Sequence, residues 1–349
     1  MKVLIVTSKA TSLTNVAKDI ATVLQKNGFI PRLTRITPSP FEVRNIADSV
    51  ILIYPASPLF ASPYFLMHRD YRKIAGIPSV FYATIEGKVT PYLVKSWMKR
   101  DLDFIANSKY TKNKLEEAGF GVTEVIYHGL VPEVVEEARK LVPAWRQHLE
   151  SQFGDRVIFG TISFWHKRKG LDRLAQAVKL LQQKRDDFVV HLITSSDALK
   201  YISPSECLVI EHQFGKRTRE EVLAWMGALD FLIVPSLAEG FGLPVIEANA
   251  MGTPVIHCAF PPLTEVTIPD ANIMFFYDVM QELNLRDGIL YELHYYKPQE
   301  LMKAMDYAID MIKNNKQEYE KRCKKAKESL DKFNAFEHYT KFIKYLSHL

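Results

Sequence analysis

Short apolar runs alternate with amphipathic stretches along the first half of the chain. The runs have the length of buried strands, and the stretches between them repeat apolar residues at the helical period. Such alternation is typical of strand–helix–strand units that build a parallel sheet. The predicted strands are Lys2–Thr7, Arg32–Ile36, Val50–Tyr54, Ser79–Thr84, Phe104–Asn107 and Glu124–Tyr127. A doubly wound, Rossmann-like domain is therefore expected over residues 1–145.

The same pattern begins again after a charged segment rich in helix formers, which runs from Pro132 to about Gln152. The predicted strands of this half are Arg156–Ile162, Phe188–Thr194, Leu208–Glu211, Asp230–Pro235, Thr253–His257 and Ile273–Phe276. A second Rossmann-like domain, without a detectable sequence repeat, is expected over residues 155–330. From Pro298 the pattern is purely helical, and a last amphipathic helix is expected within residues 331–349. Its apolar side, which needs a surface to cover, carries Phe336, Tyr339, Phe342, Ile343 and Leu346.

Composition narrows the classes of function. The 349 residues exceed one compact α/β unit and suit two domains. The net charge of +5 falls short of a nucleic-acid-binding signature and weakly favours anionic ligands or peripheral contact with an anionic membrane. The three cysteines stand far apart, which argues for a reducing compartment and against structural zinc. No stretch approaches the roughly 20 apolar residues that span a bilayer, so a cytoplasmic protein is expected, at most resting on the inner face of a membrane.

A glycine-containing loop between two predicted strands offers an anion site. The chain from Phe231 to His257 predicts a buried strand, this loop, a short helix with Pro244 in its first turn, and another strand. Free amides at a helix start attract anions, and glycines let a ligand approach the backbone. The loop is therefore suited to a diphosphate. Its candidate donor-binding residues are Gly240, Phe241, Gly242 and Leu243.

Two glutamates flank that loop and supply acceptors for hydroxyl groups. Glu239 precedes the glycines, and Glu247 lies in the predicted helix. Amides for phosphate together with carboxylates for hydroxyls suit a nucleotide sugar, although either glutamate alone is as readily a solvated surface carboxylate. The joint frame Glu-Gly-Phe-Gly-x-x-x-x-Glu-Ala, from Glu239 to Ala248, resembles the signature of family four of the GT-B-fold glycosyltransferases.

A basic cluster follows the first predicted strand of the second domain. Parallel sheets bind ligands at the carboxyl ends of their strands, so this cluster can neutralise a departing diphosphate. The alternative is a solvated charge run. In the family that the chain resembles, this loop carries an Arg and a Lys-Gly directed at the donor pyrophosphate. Lys169-Gly170 matches the Lys-Gly, whereas the usual places of the Arg hold Thr161 and Phe164. Arg168 or Lys167 is expected to substitute, and Thr161 stays among the donor-binding candidates.

The first half departs more from the family pattern. No glycine-rich loop follows the first strand, and the histidine that commonly follows the fourth strand is missing. Glu86 stands there and is the candidate for a sugar-facing or acid–base role, with His68 and His128 as alternatives. Asp101 and Asp103 imitate a metal-binding Asp-x-Asp of an unrelated transferase fold, but Asp103 leads directly into a buried strand. No metal is therefore assigned.

Three smaller assignments complete the first half. Asn107-Ser108 resembles the family's motif at the start of a helix, and Ser108 is expected to cap a helix that reaches Ala118. An earlier helix is expected to end at Asn27-Gly28. Residues 55–67 combine turn formers with aromatics and are expected to pack a loop rather than line an acceptor groove.

The resemblance implies a GT-B architecture of two facing Rossmann-like domains, with the last helix crossing back to the first. It also implies retaining, metal-independent transfer from a nucleotide-diphosphate sugar to a glycan, lipid or protein-linked acceptor. Lys169 would stabilise the leaving diphosphate, Glu247 would bind the ribose hydroxyls, and Glu239 would orient the donor sugar. The alternatives are a catalytically degenerate GT-B protein that binds sugars or nucleotides, and a nucleotide-sugar epimerase of the same fold.

Overall fold

The computed structural model describes residues 1–55 and 64–347, which divide into two compact units. The first unit comprises Met1–Val131, Glu282–Glu292 and Phe333–Leu349, and the second comprises Pro132–Gln281 and Leu293–Lys332. The division therefore falls at Val131 and not within residues 145–155. The reason is that Pro132–Phe153 is a single helix that packs on the helix Arg219–Gly227 of the second unit.

A parallel sheet of six strands forms the core of the first unit, in the order β2-β1-β3-β4-β6-β7. In chain order the strands are β1 (Lys2–Thr7), β2 (Ile30–Thr34), β3 (Ser49–Pro55), β4 (Ser79–Thr84), β5 (Gly87–Val89), β6 (Asp103–Ala106) and β7 (Gly121–Val125), with β5 outside this sheet. The α-helices are Thr11–Lys26, Pro40–Ile46, Tyr64–Lys73, Ser96–Asp101 and Lys109–Glu117. A short 3-10 helix spans Pro91–Leu93.

Two predicted helix ends in this unit are confirmed. The first helix ends at Lys26, and Asn27 is followed by Gly28 with a φ of 82°. Ser108 caps the helix Lys109–Glu117, because its hydroxyl accepts a hydrogen bond of 3.0 Å from the backbone N–H of Thr111.

The second unit contains another six-stranded parallel sheet, in the order β10-β9-β8-β11-β12-β13. Its strands are β8 (Val157–Ser163), β9 (Phe188–Thr194), β10 (Leu208–Glu211), β11 (Phe231–Val234), β12 (Val255–Cys258) and β13 (Ile273–Phe275). Besides the two helices named above, the α-helices are Leu171–Gln182, Leu243–Ala250, Leu263–Val266, Pro298–Asn314 and Lys316–Lys332. Strand order reverses between β8 and β11, and such a switch point is where parallel sheets bind ligands.

A small third sheet, with the order β14-β15-β5, was not predicted from the sequence. Its added strands are β14 (Val279–Asn284) and β15 (Ile289–Tyr295), and β15 pairs antiparallel with β5. The part of this hairpin that belongs to the first unit, Glu282–Glu292, is anchored there by Glu292. Its carboxylate accepts hydrogen bonds from the Tyr110 hydroxyl at 2.8 Å and from Lys114 Nζ at 3.0 Å.

The C-terminal segment belongs to the first unit but is not the single α-helix that was predicted. Ala335–Tyr339 and Ile343–Ser347 are α-helical, with the 3-10 helix Thr340–Phe342 between them. Of the predicted apolar side, Tyr339, Phe342 and Leu346 are buried. Phe336 and Ile343 are only half-buried. In the part of the chain that the structure describes, no helix has both the length and the apolar character needed to cross a membrane.

Candidate functional site

The basic turn after β8 is built by local hydrogen bonds and one glycine. Lys167–Lys169 form a 3-10 helix, and the imidazole of His166 accepts a hydrogen bond of 3.2 Å from the backbone N–H of Arg168. Gly170 follows with a φ of 61°, a left-handed conformation that favours glycine. A Cβ atom at Gly170 would collide with the carbonyl oxygen of Pro235. This glycine therefore lets the basic turn lie directly against the chain that leaves β11.

Hydrogen bonds fix the loop after β11 in place. The backbone N–H of Leu237 donates to the carbonyl of Arg168 at 2.7 Å, which joins this loop to the basic turn. The Tyr296 hydroxyl donates to the carbonyl of Pro235 at 2.7 Å, and the backbone N–H of His294 donates to the carbonyl of Leu237 at 2.8 Å. Hydrogen bonds therefore hold the first residues of this loop, Pro235 to Leu237, in place.

A nearly buried cluster of charges lies where these two loops meet. Lys169 Nζ donates to Glu239 Oε1 at 2.6 Å, and Arg168 Nη1 lies 3.7 Å from Glu239 Oε2. The side chains of Lys169, Arg168 and Glu239 are 14%, 12% and 8% exposed. The hydroxyl of Ser236 also donates to Glu239 Oε1, at 2.6 Å. The carboxylate of Glu239 is thus shared between one ammonium group and one hydroxyl, with a guanidinium nearby.

The surroundings keep Glu239 ionised. Burial by itself raises the pKa of a carboxyl group. The charges of Lys169 and Arg168, together with the hydrogen bonds from Lys169 and Ser236, outweigh that effect, so the pKa of Glu239 lies below its ordinary value. Glu239 is therefore a permanent negative charge near neutral pH.

A small open recess borders this cluster. Its walls come from the ends of β8 and β11 and from the loops that follow, and they include Thr161, Ser163, Lys169, Ser236, Glu239 and Pro244. The recess therefore lies at the switch point of the second sheet.

The helix Leu243–Ala250 begins beside the recess. Gly242 precedes it with a φ of 100°, and a Cβ atom there would come 2.5 Å from Leu263 Cδ2. Phe241 is buried, and Pro244 stands in the first turn of the helix. Glu247 is partly exposed on this helix. Asn249, the last but one residue of the helix, exchanges two hydrogen bonds of 2.9 Å with Asn272, which anchors the helix.

The structure thus brings Lys169, Arg168 and Glu239 together, while their predicted roles toward the diphosphate and the donor sugar stay predictions. Of the two candidates for the missing Arg, Lys167 is exposed whereas Arg168 lies in the charge cluster. Thr161 is buried, and its hydroxyl donates to the carbonyl of Ile233 at 3.0 Å, so it links β8 to β11. Sequence reasoning missed Ser236, whose only signal is its position just after a buried strand.

The predicted groups of the first unit have different surroundings. Glu86 is half-buried between β4 and β5. Burial raises the pKa of Tyr110, and the charge of Glu292 and its hydrogen bond with Tyr110 raise it further, with a smaller contribution from the charge of Glu86. His128 is structural, because it is buried with Nδ1 2.9 Å from the Tyr82 hydroxyl, and burial lowers its pKa to about 3.

Of the other first-unit residues named in the sequence analysis, one forms an ion pair and the rest lie outside the described residues. Asp101 forms an ion pair of 2.8 Å with Lys73. The side chains of His68 and Asp103, and residues 56–63 of the aromatic loop, lie outside what the structure describes. Across residues 1–55 and 64–347, no group of three or more His, Cys, Asp or Glu side chains is arranged to hold a metal ion.

Comparison with known proteins gives matches along the whole chain. The family model for glycosyl transferases group 1 matches residues 145–329. The uncharacterized glycosyltransferase 335 of Sulfolobus islandicus rod-shaped virus 1 is 32% identical over 98% of this chain and 100% of its own length. Among solved structures, HepE of Anabaena in complex with UDP is similar with a TM-score of 0.69 at 15% identity, covering 100% of both chains. A glycosyltransferase of Rickettsia africae has a TM-score of 0.71 at 14% identity, covering 100% of this chain and 99% of that one.

The chain therefore belongs to group 1 of the glycosyl transferases. It is a nucleotide-sugar glycosyltransferase with the GT-B fold, as the resemblance of the Glu239 to Ala248 frame implied. The structural neighbours share little sequence with it and bear on the fold alone.

Proposed function

We propose that this enzyme transfers a hexose from a nucleoside diphosphate sugar with retention of anomeric configuration and without a metal ion. The second unit holds the donor in this proposal. The observation that carries it is the charge cluster of Lys169, Arg168 and Glu239 beside the start of the helix Leu243–Ala250.

The charge balance of the cluster suits a diphosphate. Two cationic side chains share one ionised carboxylate, so two positive charges less one negative leave a net positive charge. Because all three side chains are mostly buried, water screens this charge less than it would at the surface. The backbone N–H of Leu243 adds a second attraction for anions at the start of this helix, where Pro244 has no N–H and the N–H of Val245 donates to the Gly242 carbonyl at 2.9 Å. Glu247, on the same helix, is assigned to the ribose hydroxyls.

The proposed chemistry uses these charges at the transition state. As the bond from the anomeric carbon to the diphosphate oxygen breaks, positive charge develops on the sugar and negative charge on the diphosphate. Lys169 and Arg168 stabilise the diphosphate, and the ionised Glu239 stabilises the sugar. The leaving phosphate accepts the proton of the attacking hydroxyl on the same face of the sugar, which retains the configuration. This route is the one that the resemblance to family four implies.

The donor nucleotide and the acceptor are the two substrates still to be assigned. HepE has been solved with UDP and with UDP-glucose, which supports a uridine diphosphate sugar as the first donor to test. The acceptor is the hydroxyl of a glycan, a lipid or a protein-linked sugar. Glu86 is assigned to the acceptor side, as a sugar-facing or acid–base group.

Calorimetry with UDP, GDP and ADP, beside nucleotide release from UDP-glucose and GDP-mannose, tests the proposal. We expect one nucleotide to bind tightly, the matching donor to be hydrolysed slowly without acceptor, and excess EDTA to change neither result. An enzyme that binds none of these nucleotides, or that loses turnover in EDTA and regains it with magnesium, contradicts the proposal.

A further inference from the structure

Ser236 contacts the centre of the charge cluster but belongs to no predicted motif. It is the second residue after β11 and is buried, with 2% exposure. Its hydroxyl lies 2.6 Å from Glu239 Oε1. An ionised carboxylate has no proton to donate, so the hydroxyl must be the donor. Ser236 therefore stabilises the charged form of Glu239.

The same carboxylate oxygen is also held by Lys169, and these two contacts differ in their freedom to move. Lys169 Nζ lies 2.6 Å from Glu239 Oε1 at the end of a long, rotatable side chain. The hydroxyl of Ser236 sits one bond from Cβ, on a loop whose neighbouring carbonyls at Pro235 and Leu237 are already hydrogen-bonded. A diphosphate that draws the ammonium away would therefore leave the contact from Ser236 in place.

We propose that Ser236 is a positioning residue that holds the Glu239 carboxylate in place and ionised when Lys169 turns to the diphosphate of the donor. The inference rests on the proposed role of Lys169. The charged groups that face Glu239 are Lys169 and Arg168, both from the basic turn after β8. In a variant without the hydroxyl, the carboxylate follows Lys169 and shifts away from the position in which it stabilises the sugar. Binding of the nucleotide, which Ser236 does not contact in this scheme, is unaffected.

Three serine variants of the full-length protein test this inference. Ser236→Ala removes the hydroxyl, and Ser236→Thr restores it. Ser163→Ala is the matched control, because Ser163 borders the same recess but its hydroxyl donates to the carbonyl of Phe164. Carbon-13 NMR of protein labelled at glutamate Cδ reports the pKa of Glu239, with the signal assigned by its loss in Glu239→Gln. UDP affinity and UDP release from UDP-glucose are measured in parallel.

We expect Ser236→Ala to raise the pKa of Glu239 and to slow UDP release about 10-fold, as for loss of one hydrogen bond to a charged group, with UDP affinity unchanged. Ser236→Thr should recover both values, and Ser163→Ala should leave the pKa of Glu239 as in the wild type. A pKa of Glu239 that Ser236→Ala does not move, or a parallel loss of UDP affinity, overturns the inference. Failure of the proposed function would appear separately, as a wild-type enzyme that binds no nucleotide, and the NMR titration needs no donor.

Discussion

Lys169 and Glu239 form a nearly buried ion pair, and this determines how their variants must be interpreted. Removing one partner of such a pair leaves the other charge buried without compensation, which destabilises the fold as well as the site. Arg168 lies 3.7 Å from Glu239 and partly compensates for a lost Lys169. Loss of turnover in a Lys169 variant therefore supports a catalytic role only where the variant still unfolds cooperatively.

Lys169→Ala should lower turnover by one or more orders of magnitude, because Lys169 stabilises charge that is greatest on the departing diphosphate. Arg168→Ala should have a smaller effect in the same direction. Lys167→Ala is the matched control, since Lys167 belongs to the same 3-10 turn but is exposed, and it should stay near wild type. Steady-state kinetics with the full donor, beside thermal unfolding, provide the measurement. A dead Arg168→Ala next to a fully active Lys169→Ala would contradict these roles.

The two glutamates should separate binding from turnover. Glu247→Ala should weaken the bare nucleotide diphosphate and the nucleotide sugar alike, by about 1–3 kcal/mol for a charge-assisted hydrogen bond to ribose. Glu239→Gln should keep or tighten binding of the bare nucleotide, because Lys169 loses a charged competitor, while turnover falls steeply. Calorimetry with the bare nucleotide and kinetics with the donor compare both variants. Equal losses of nucleotide affinity, or full activity in Glu239→Gln, would refute this division of roles.

At the scale of secondary structure, the sequence predicts elements well where burial is continuous. Every residue of β9 is buried, and its apolar run predicts Phe188–Thr194 with both ends correct. β14 was missed because nearly all of its residues are exposed and its sequence mixes apolar and polar side chains. β5 has only three residues, and its partner β15 is far away along the chain. Pairing of this kind has no local signal in a sequence.

The site residues, too, could be predicted only where the sequence carries a local pattern. Glu239, Glu247 and Lys169 were predicted because they match the motifs of a known family. The choice between Arg168 and Lys167 depends on which side of a 3-10 turn faces the loop after β11, and adjacent basic residues in a sequence do not reveal that. Ser236 was missed because a single serine after a strand has many ordinary structural roles. Its contact with Glu239 exists only once the loop is folded.

Gly170→Ala should lower the free energy of unfolding much more than a glycine substitution that introduces backbone strain alone. A left-handed residue with a Cβ costs roughly 1–2 kcal/mol, and at Gly170 that Cβ would also meet the carbonyl oxygen of Pro235. Gly215→Ala is the matched control, because Gly215 has a φ of 76° but nothing lies within 4 Å of an added Cβ. Urea unfolding should show the larger loss of stability for Gly170→Ala, together with weaker nucleotide binding. Equal effects in the two variants would show that contact between the basic turn and the β11 loop is not tight in solution.

At the scale of the whole molecule, the predicted site residues are unequally divided between the two units. The candidates for the diphosphate and the ribose all belong to the second unit, on the loops after β8 and β11 and on the helix Leu243–Ala250. Glu86 belongs to the first unit. A ligand that consists of the nucleotide part alone is therefore expected to be held by groups from one unit, whichever sugar and acceptor complete the reaction.

Hydrogen–deuterium exchange on the full-length enzyme tests that expectation directly. Saturating UDP should slow amide exchange in segments around residues 163–171 and 236–247, because the phosphates accept a hydrogen bond from the backbone N–H of Leu243, at the start of the helix Leu243–Ala250, and fix the basic turn. The loop that carries Glu86 should exchange at its original rate, since UDP carries neither the transferred hexose nor the acceptor. Glu247→Ala, examined at the same UDP concentration, controls for non-specific effects and should show much less protection. Protection centred on Glu86, with the second-unit segments unchanged, would move the nucleotide site to the first unit and refute the assignment of Lys169 and Glu247 to the donor.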